Sequence, residues 1–296
     1  MGFSISFSSA TRFPFGGPAT GTSAATTTTT TTTLRVLLAL APVALPTAYL
    51  LFLKRSLAKR TVASARISPP DPLVAPAPST STSTSQTADD DDDDEIVLPS
   101  HVRGAPELFV VAREKVVSEV VPIAVLRPEF VRGDGDADGG ELSGLLEAYL
   151  SATMQAFAWT PQALLMARMG GSLRDLEAYR RTFDEGYLSE CGFEEGDRVC
   201  GVYVVRGRRG GRVVLDLSPP SGWKGPVVTG ALNVGFDREG EDGVRFVNET
   251  IMWRRKEGEK PTLLEGKVGR WLHTLMASWL VVKGIEAVTI GKVKSS

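Results

Sequence analysis

The sequence predicts an α+β domain behind a membrane anchor: helices, an antiparallel meander of four or more strands and a long closing C-terminal helix, after an N-terminal transmembrane helix and a disordered linker. Three observations lead there. An apolar run fills residues 36–53, a stretch rich in Pro, Ser, Thr and Asp fills 68–95, and beyond it the apolar residues recur at helical spacing, then at every second position, then at helical spacing again. With the first 95 residues set aside, residues 96–290 remain for one modest core.

Residues 1–35 read as a disordered tail. The run VLLALAPVALPTAYLLFL (36–53) is just long enough, at a rise of about 1.5 Å per residue, to cross the hydrocarbon core of a bilayer. Pro42 and Pro46 are tolerated in such spans, where local distortion re-satisfies the freed backbone groups. Lys54, Arg55, Lys59 and Arg60 follow the run, against Arg12 and Arg35 before it, so the positive-inside rule puts the C-terminal bulk in the cytosol. The endoplasmic reticulum is the favoured membrane; the acid-free, Ser/Thr-rich start makes a mitochondrial membrane the alternative. Residues 54–95 then form a basic flank and a linker, because SPPDPLVAPAPSTSTSTSQTADDDDDDE cannot bury enough apolar surface to offset the entropy of ordering.

A net charge of -2 supplies no basic footprint, so nucleic acid is not an expected partner. Cys191 and Cys200 are the only cysteines and His101 and His273 the only histidines, too few for a familiar structural zinc site, and a Cys191–Cys200 bridge needs an oxidising compartment. Asp134, Asp136 and Asp138 in GDGDADGGE imitate the start of a calcium loop, but the twelfth position is Leu145 where a bidentate Glu is required. No G-x-S-x-G elbow, phosphate-binding loop or dinucleotide fingerprint occurs, and neither metal nor cofactor is expected.

From Ile96 to Val131 the chain is Val-rich without a clean period, and FVVAREKVVSEVVPIAVL reads as a helix or as paired strands. Leu142, Leu145, Leu146, Tyr149, Leu150, Met154 and Phe157 then fall on one helical stripe. Thr160 and Pro161 make an N-cap and first-turn pair that starts another helix, and Ser172 with Asp175 opens a third. After Gly196, VCGVYVVR, RVVLDL, VVTGALNVGF and VRFVNETIMW read as four strands joined by turn-forming segments. Trp271, Leu272, Leu275, Met276, Trp279 and Leu280 place a closing helix across one face of their sheet.

This order resembles helix-grip domains of the lipid-transfer type. The stretch FVNETIMWRRKEGEKPTLLEGKVGRWLHTLMASWL, with NET, WR, EKPTLLE and GRWLH in succession, is similar to a family of little-characterised, membrane-anchored proteins of filamentous fungi, over residues 145–288. The resemblance implies a role in small-molecule or secondary metabolism and transfers no catalytic residue.

Within RFVNETIMWRR (245–255), alternation puts Phe246, Asn248, Thr250 and Met252 on one face and Val247, Glu249, Ile251 and Trp253 on the other. Whichever face meets the closing helix buries an Asn/Thr pair or a glutamate. A buried carboxylate is either paired or suited to acid–base work, which makes Glu249 and His273 the candidate catalytic residues. Trp223, Asn248, Thr250, Trp271, Met276 and Trp279 are the candidate ligand-binding residues, as apolar pockets carry a few polar groups. Glu265 is expected simply to favour the positive end of the closing helix. The first expectation is therefore a single-pass membrane protein whose cytosolic domain binds a small apolar ligand, a lipid or a metabolic intermediate. The alternatives are a cofactor-free cyclase, isomerase or dehydratase, and a membrane-tethered scaffold.

Overall fold

The structure, a computed structural model, describes residues 47–68, 98–131, 142, 144–170 and 175–291. The chain divides into two compact units, Met1–Leu51 and Phe52–Ser296. The tail 1–35, the acidic run 89–95 and the GDGDADGGE loop lie outside the described residues, as does most of the apolar run 36–53. Residues 47–53 of that run fall in a helix over 47–57 (α1), and among the described residues no helix is long and apolar enough to cross a membrane.

Residues 61–68, assigned by sequence to the linker, instead form strand β1 (Thr61–Ser68), which pairs antiparallel along its whole length with β2 (Phe109–Ser118). Only Thr61 of the strand is buried, and Ala63 and Ala65, opposite Val116 and Glu114, contribute little hydrophobic signal. Residues 69–97, which lie outside the described residues, therefore connect β1 to the rest of the same unit.

β2 resolves the undecided Val-rich stretch as extended chain, because β1 takes its hydrogen bonds on one edge and β8 (Gly243–Arg255) on the other. Along the sheet the order is β1-β2-β8-β7-β6-β5-β4, with the short β3 (Val121–Pro122) also on β8. The expected meander is present as β5 (Tyr203–Arg209), β6 (Arg212–Leu217), β7 (Gly230–Glu239) and β8. VCGVYVVR is not one strand, however. Cys200 and Gly201 take positive φ (46° and 80°) and turn the chain between β4 (Arg198–Val199) and β5. Both cysteines are free thiols.

The helices after α1 are α2 (Ser100–Arg103), α3 (Pro128–Val131), α4 (Leu145–Ala158), α5 (Pro161–Met169), α6 (Leu176–Arg181), α7 (Glu185–Glu190) and α8 (Lys267–Val288). The Thr160 side chain caps α5 by accepting from the Ala163 N–H at 3.2 Å, and Asp175 caps α6 from Ala178 N–H at 3.1 Å. α4 and α8 pack on the inner face of the sheet, where Leu145, Tyr149, Phe157, Val205, Phe246 and Val281 belong to the main core. Gly284 allows the close approach of the two helices: a Cβ there would lie 2.3 Å from Tyr149 Cε2. The outer face has its own smaller cluster, in which Val102 of α2 meets Phe109, Ile251 and Trp253.

Candidate functional site

The register of β2 on β8 sets Glu114 opposite Thr250 and Lys115 opposite Glu249. Neighbours on a strand point to opposite faces, so the sheet buries one glutamate on each side. Glu114 points inward to α8, where its Oε1 lies 2.7 Å from His273 Nδ1 and its Oε2 lies 2.8 Å from the Thr274 hydroxyl. That hydroxyl also lies 2.9 Å from the Arg270 carbonyl. An ionised carboxylate only accepts, so opposite one Nδ1 carries the hydrogen of this bond, and in the neutral imidazole Nε2 is then the nitrogen with the lone pair. Both side chains are buried, Glu114 almost completely.

His273 borders an interior cavity of about 30 Å³, shared with Thr153, Asn248, Thr250, Tyr203 and Met276. That is room for one water molecule among polar groups able to hold it. The hydroxyls of Tyr149 and Thr153 are buried and are each other's polar neighbours, on the side of α4 that meets Gly284. Burial pushes the Tyr149 phenol well up, against a smaller opposing effect of Thr153.

Glu249 points the other way. On the outer face its Oε1 lies 3.4 Å from Arg113 Nε, and its Oε2 accepts from Asn233 Nδ2 at 3.2 Å. The fold therefore does not bring Glu249 and His273 together; the carboxylate at His273 is Glu114. Sequence reasoning missed Glu114 because FVVAREKVVS has no polar/apolar alternation. Val110, Val111, Val116 and Val117 occupy both faces, so polarity does not separate the buried inner positions from the half-buried outer ones.

The candidate ligand-binding residues divide among four places. Asn248, Thr250 and Met276 line the inner cavity, and Trp279 packs against the main core. Trp271 borders a separate pocket of about 240 Å³ with Leu57, Thr61 and Leu275. Trp223 lines an open groove of about 550 Å³ between α5 and the loop 218–229. Its indole N–H donates to the Pro226 carbonyl at 3.1 Å, which fixes the ring in the wall.

The rest of the groove wall is nearly all apolar, with Leu165, Met166, Met169, Leu217 and Leu263 prominent and Gln162 and Tyr203 the only polar side chains. Tyr203 borders both the groove and the inner cavity, so its ring, edge-on to Phe157 at 5.6 Å between centroids, is the partition between them. A cleft of similar volume, about 520 Å³, lies near Glu147, Arg208 and Asp237. Its charged walls are already engaged, Arg208 with Glu147 and Asp237 with Arg212, and suit an apolar ligand poorly.

Comparison with protein-family models, with curated proteins and with solved structures finds no match for this chain. The residues that meet at the two cavities are therefore the whole basis for a functional reading.

Proposed function

We propose that this protein binds a small apolar molecule in the groove walled by Trp223, Leu165, Met169 and Leu263. The observation behind the proposal is the groove itself: its volume of about 550 Å³ suits a small ligand, and its lining is almost wholly aliphatic and aromatic. Leu165 and Leu263 stand about half exposed on its rim (57% and 48%), apolar surface that a ligand would remove from water. A long helix laid across an antiparallel sheet also supports the helix-grip-like reading, in which such a ligand is a lipid or a metabolic intermediate. The apolar run 36–53 and its basic flank support a single membrane span with the domain on the cytosolic side, in the endoplasmic reticulum or, second, in a mitochondrial membrane.

The test is titration of the full chain with a pyrene-labelled fatty alcohol, read by energy transfer from tryptophan. One saturable site per chain is expected. Leu165→Glu, which sets a carboxylate on the exposed rim without touching the core, is expected to weaken binding by about tenfold or more, equivalent to about 1.4 kcal/mol. Non-saturable partitioning, or an affinity indifferent to Leu165→Glu, would sink the proposal.

A further inference from the structure

The inner cavity holds a second arrangement that apolar binding alone does not use. We propose that His273 is the general base of a hydrolytic site, with Glu114 as its positioning residue, acting on a carboxylic ester whose apolar chain lies in the groove. This rests on the groove reading, because the groove is what selects and anchors the chain.

Three features lead to it. First, the Glu114–His273 bond of 2.7 Å, buttressed by Thr274, fixes both the tautomer and the ring, so the nitrogen left free to act is Nε2. Second, the space beside the ring, about 30 Å³, has room for a water molecule, which makes water the co-reactant available to His273. Third, polar side chains of β8, Asn248 and Thr250, line that space with His273.

In the reaction, Nε2 takes a proton from the cavity water as its oxygen bonds to the ester carbonyl carbon. The carbon–oxygen bond to the alcohol then breaks, and the imidazolium returns the proton to the departing alkoxide. Ester and water become acid and alcohol, with no further reactant. Asn248 and Thr250 lie where they can donate to the developing oxyanion. Tyr203 must turn aside for the carbonyl to enter, since its ring separates the groove from the cavity.

The experiment follows p-nitrophenolate release by the full chain from p-nitrophenyl decanoate and p-nitrophenyl acetate, with the pyrene alcohol titration run on the same samples. Saturable hydrolysis favouring the decanoate is expected. His273→Gln should lower kcat by about 100-fold or more with KM and pyrene binding unchanged. Glu114→Gln retains an acceptor for Nδ1–H and should lower kcat by about tenfold or more at constant KM, a split that a purely structural role does not produce. Should His273→Gln fail to fold, Thr250→Val serves instead: it is nearly isosteric, removes a donor to the developing oxyanion, and is expected to cut kcat by about tenfold while leaving the Glu114–His273 pair intact. Saturable pyrene binding without decanoate hydrolysis overturns the hydrolytic inference and leaves the groove standing, as does hydrolysis that survives His273→Gln or, where that variant does not fold, Thr250→Val. Absence of both binding and hydrolysis overturns both.

Discussion

The two faces of the sheet solve the same problem in opposite ways. Adjacent central strands bury Glu114 on the inner face and Glu249 on the outer, both almost fully removed from water. Outside, Glu249 has no space beside it that the described cavities reach: Asn233 donates to one oxygen, while the other has the Arg113 guanidinium at 3.4 Å and no hydrogen bond of its own. Inside, Glu114 meets an imidazole and a hydroxyl, and beyond the imidazole lies a cavity. A buried carboxylate is thus not in itself a sign of chemistry. What distinguishes the two is the partner's ability to move a proton and the presence of space beside it.

The largest effect expected from this contrast is on the closed side. Glu249→Ala leaves the part-buried Arg113 without the carboxylate beside it, and loss of one partner of a pair buried on the carboxylate side only is expected to cost about 3 kcal/mol, the lower end for a buried pair. Urea unfolding of the variant measures this; a loss under about 1 kcal/mol would mean that the outer pair is not the closed structure described. Glu249→Gln sharpens the comparison, since it is expected to lower stability while leaving decanoate hydrolysis untouched, the reverse of Glu114→Gln.

An intermediate effect is expected where the inner face is tightest. A Cβ at Gly284 would sit 2.3 Å from Tyr149 Cε2 and 2.6 Å from Thr153 Oγ1. Tyr149 in turn stacks at 4.6 Å on Phe246 of β8, so the ring has little room to retreat. Gly284→Ala should therefore destabilise the domain by about 1–3 kcal/mol through overpacking, read as a lowered Tm. An unchanged Tm would show that α4 and α8 are less closely packed than the inner face requires.

The same contrast explains what could be read from the sequence. The closing helix and the α4 stripe were legible because each is half-buried, and half-burial writes a period into the chain; the Thr160 cap and the meander strands were legible from cap and turn chemistry, although β8 is buried on both faces. β2 and β1 were not. β2 carries valines on both faces and its one inward carboxylate, Glu114, among its buried positions, so its buried and half-buried faces do not differ in polarity, and β1 is an edge strand exposed along most of its length. The site inherited that blindness. His273 was legible at the edge of an apolar stripe, whereas its partner Glu114 sat in the one stretch with no period. Glu249 looked equivalent because alternation assigns residues to two faces without saying which one meets the helix.

The smallest effect concerns a third carboxylate, at the rim of the sheet, which neither face encloses. Glu265 does not act at the start of α8, whose N-cap is Gly266. It receives a two-pronged bond from Arg254, with Nε 2.9 Å from Oε1 and Nη2 2.8 Å from Oε2, and the Thr262 N–H at 2.6 Å. Burial pushes its carboxyl up, but the Arg254 and Thr262 bonds together outweigh this and hold it below the usual carboxylate range. A lowered folded value means that the stabilisation is fully present above the unfolded value of about 4.3 and is lost as pH falls through the folded one. The advantage of wild type over Glu265→Gln, about 1 kcal/mol near neutrality for a pair this close to solvent, should therefore shrink once the pH drops below about 4. Because Glu265 anchors the turn bearing Leu263, one wall of the groove, the same titration should weaken pyrene binding in step with stability. A stability gap between the two proteins that stays constant down to pH 3 would show that the Arg254 pair does not supply it.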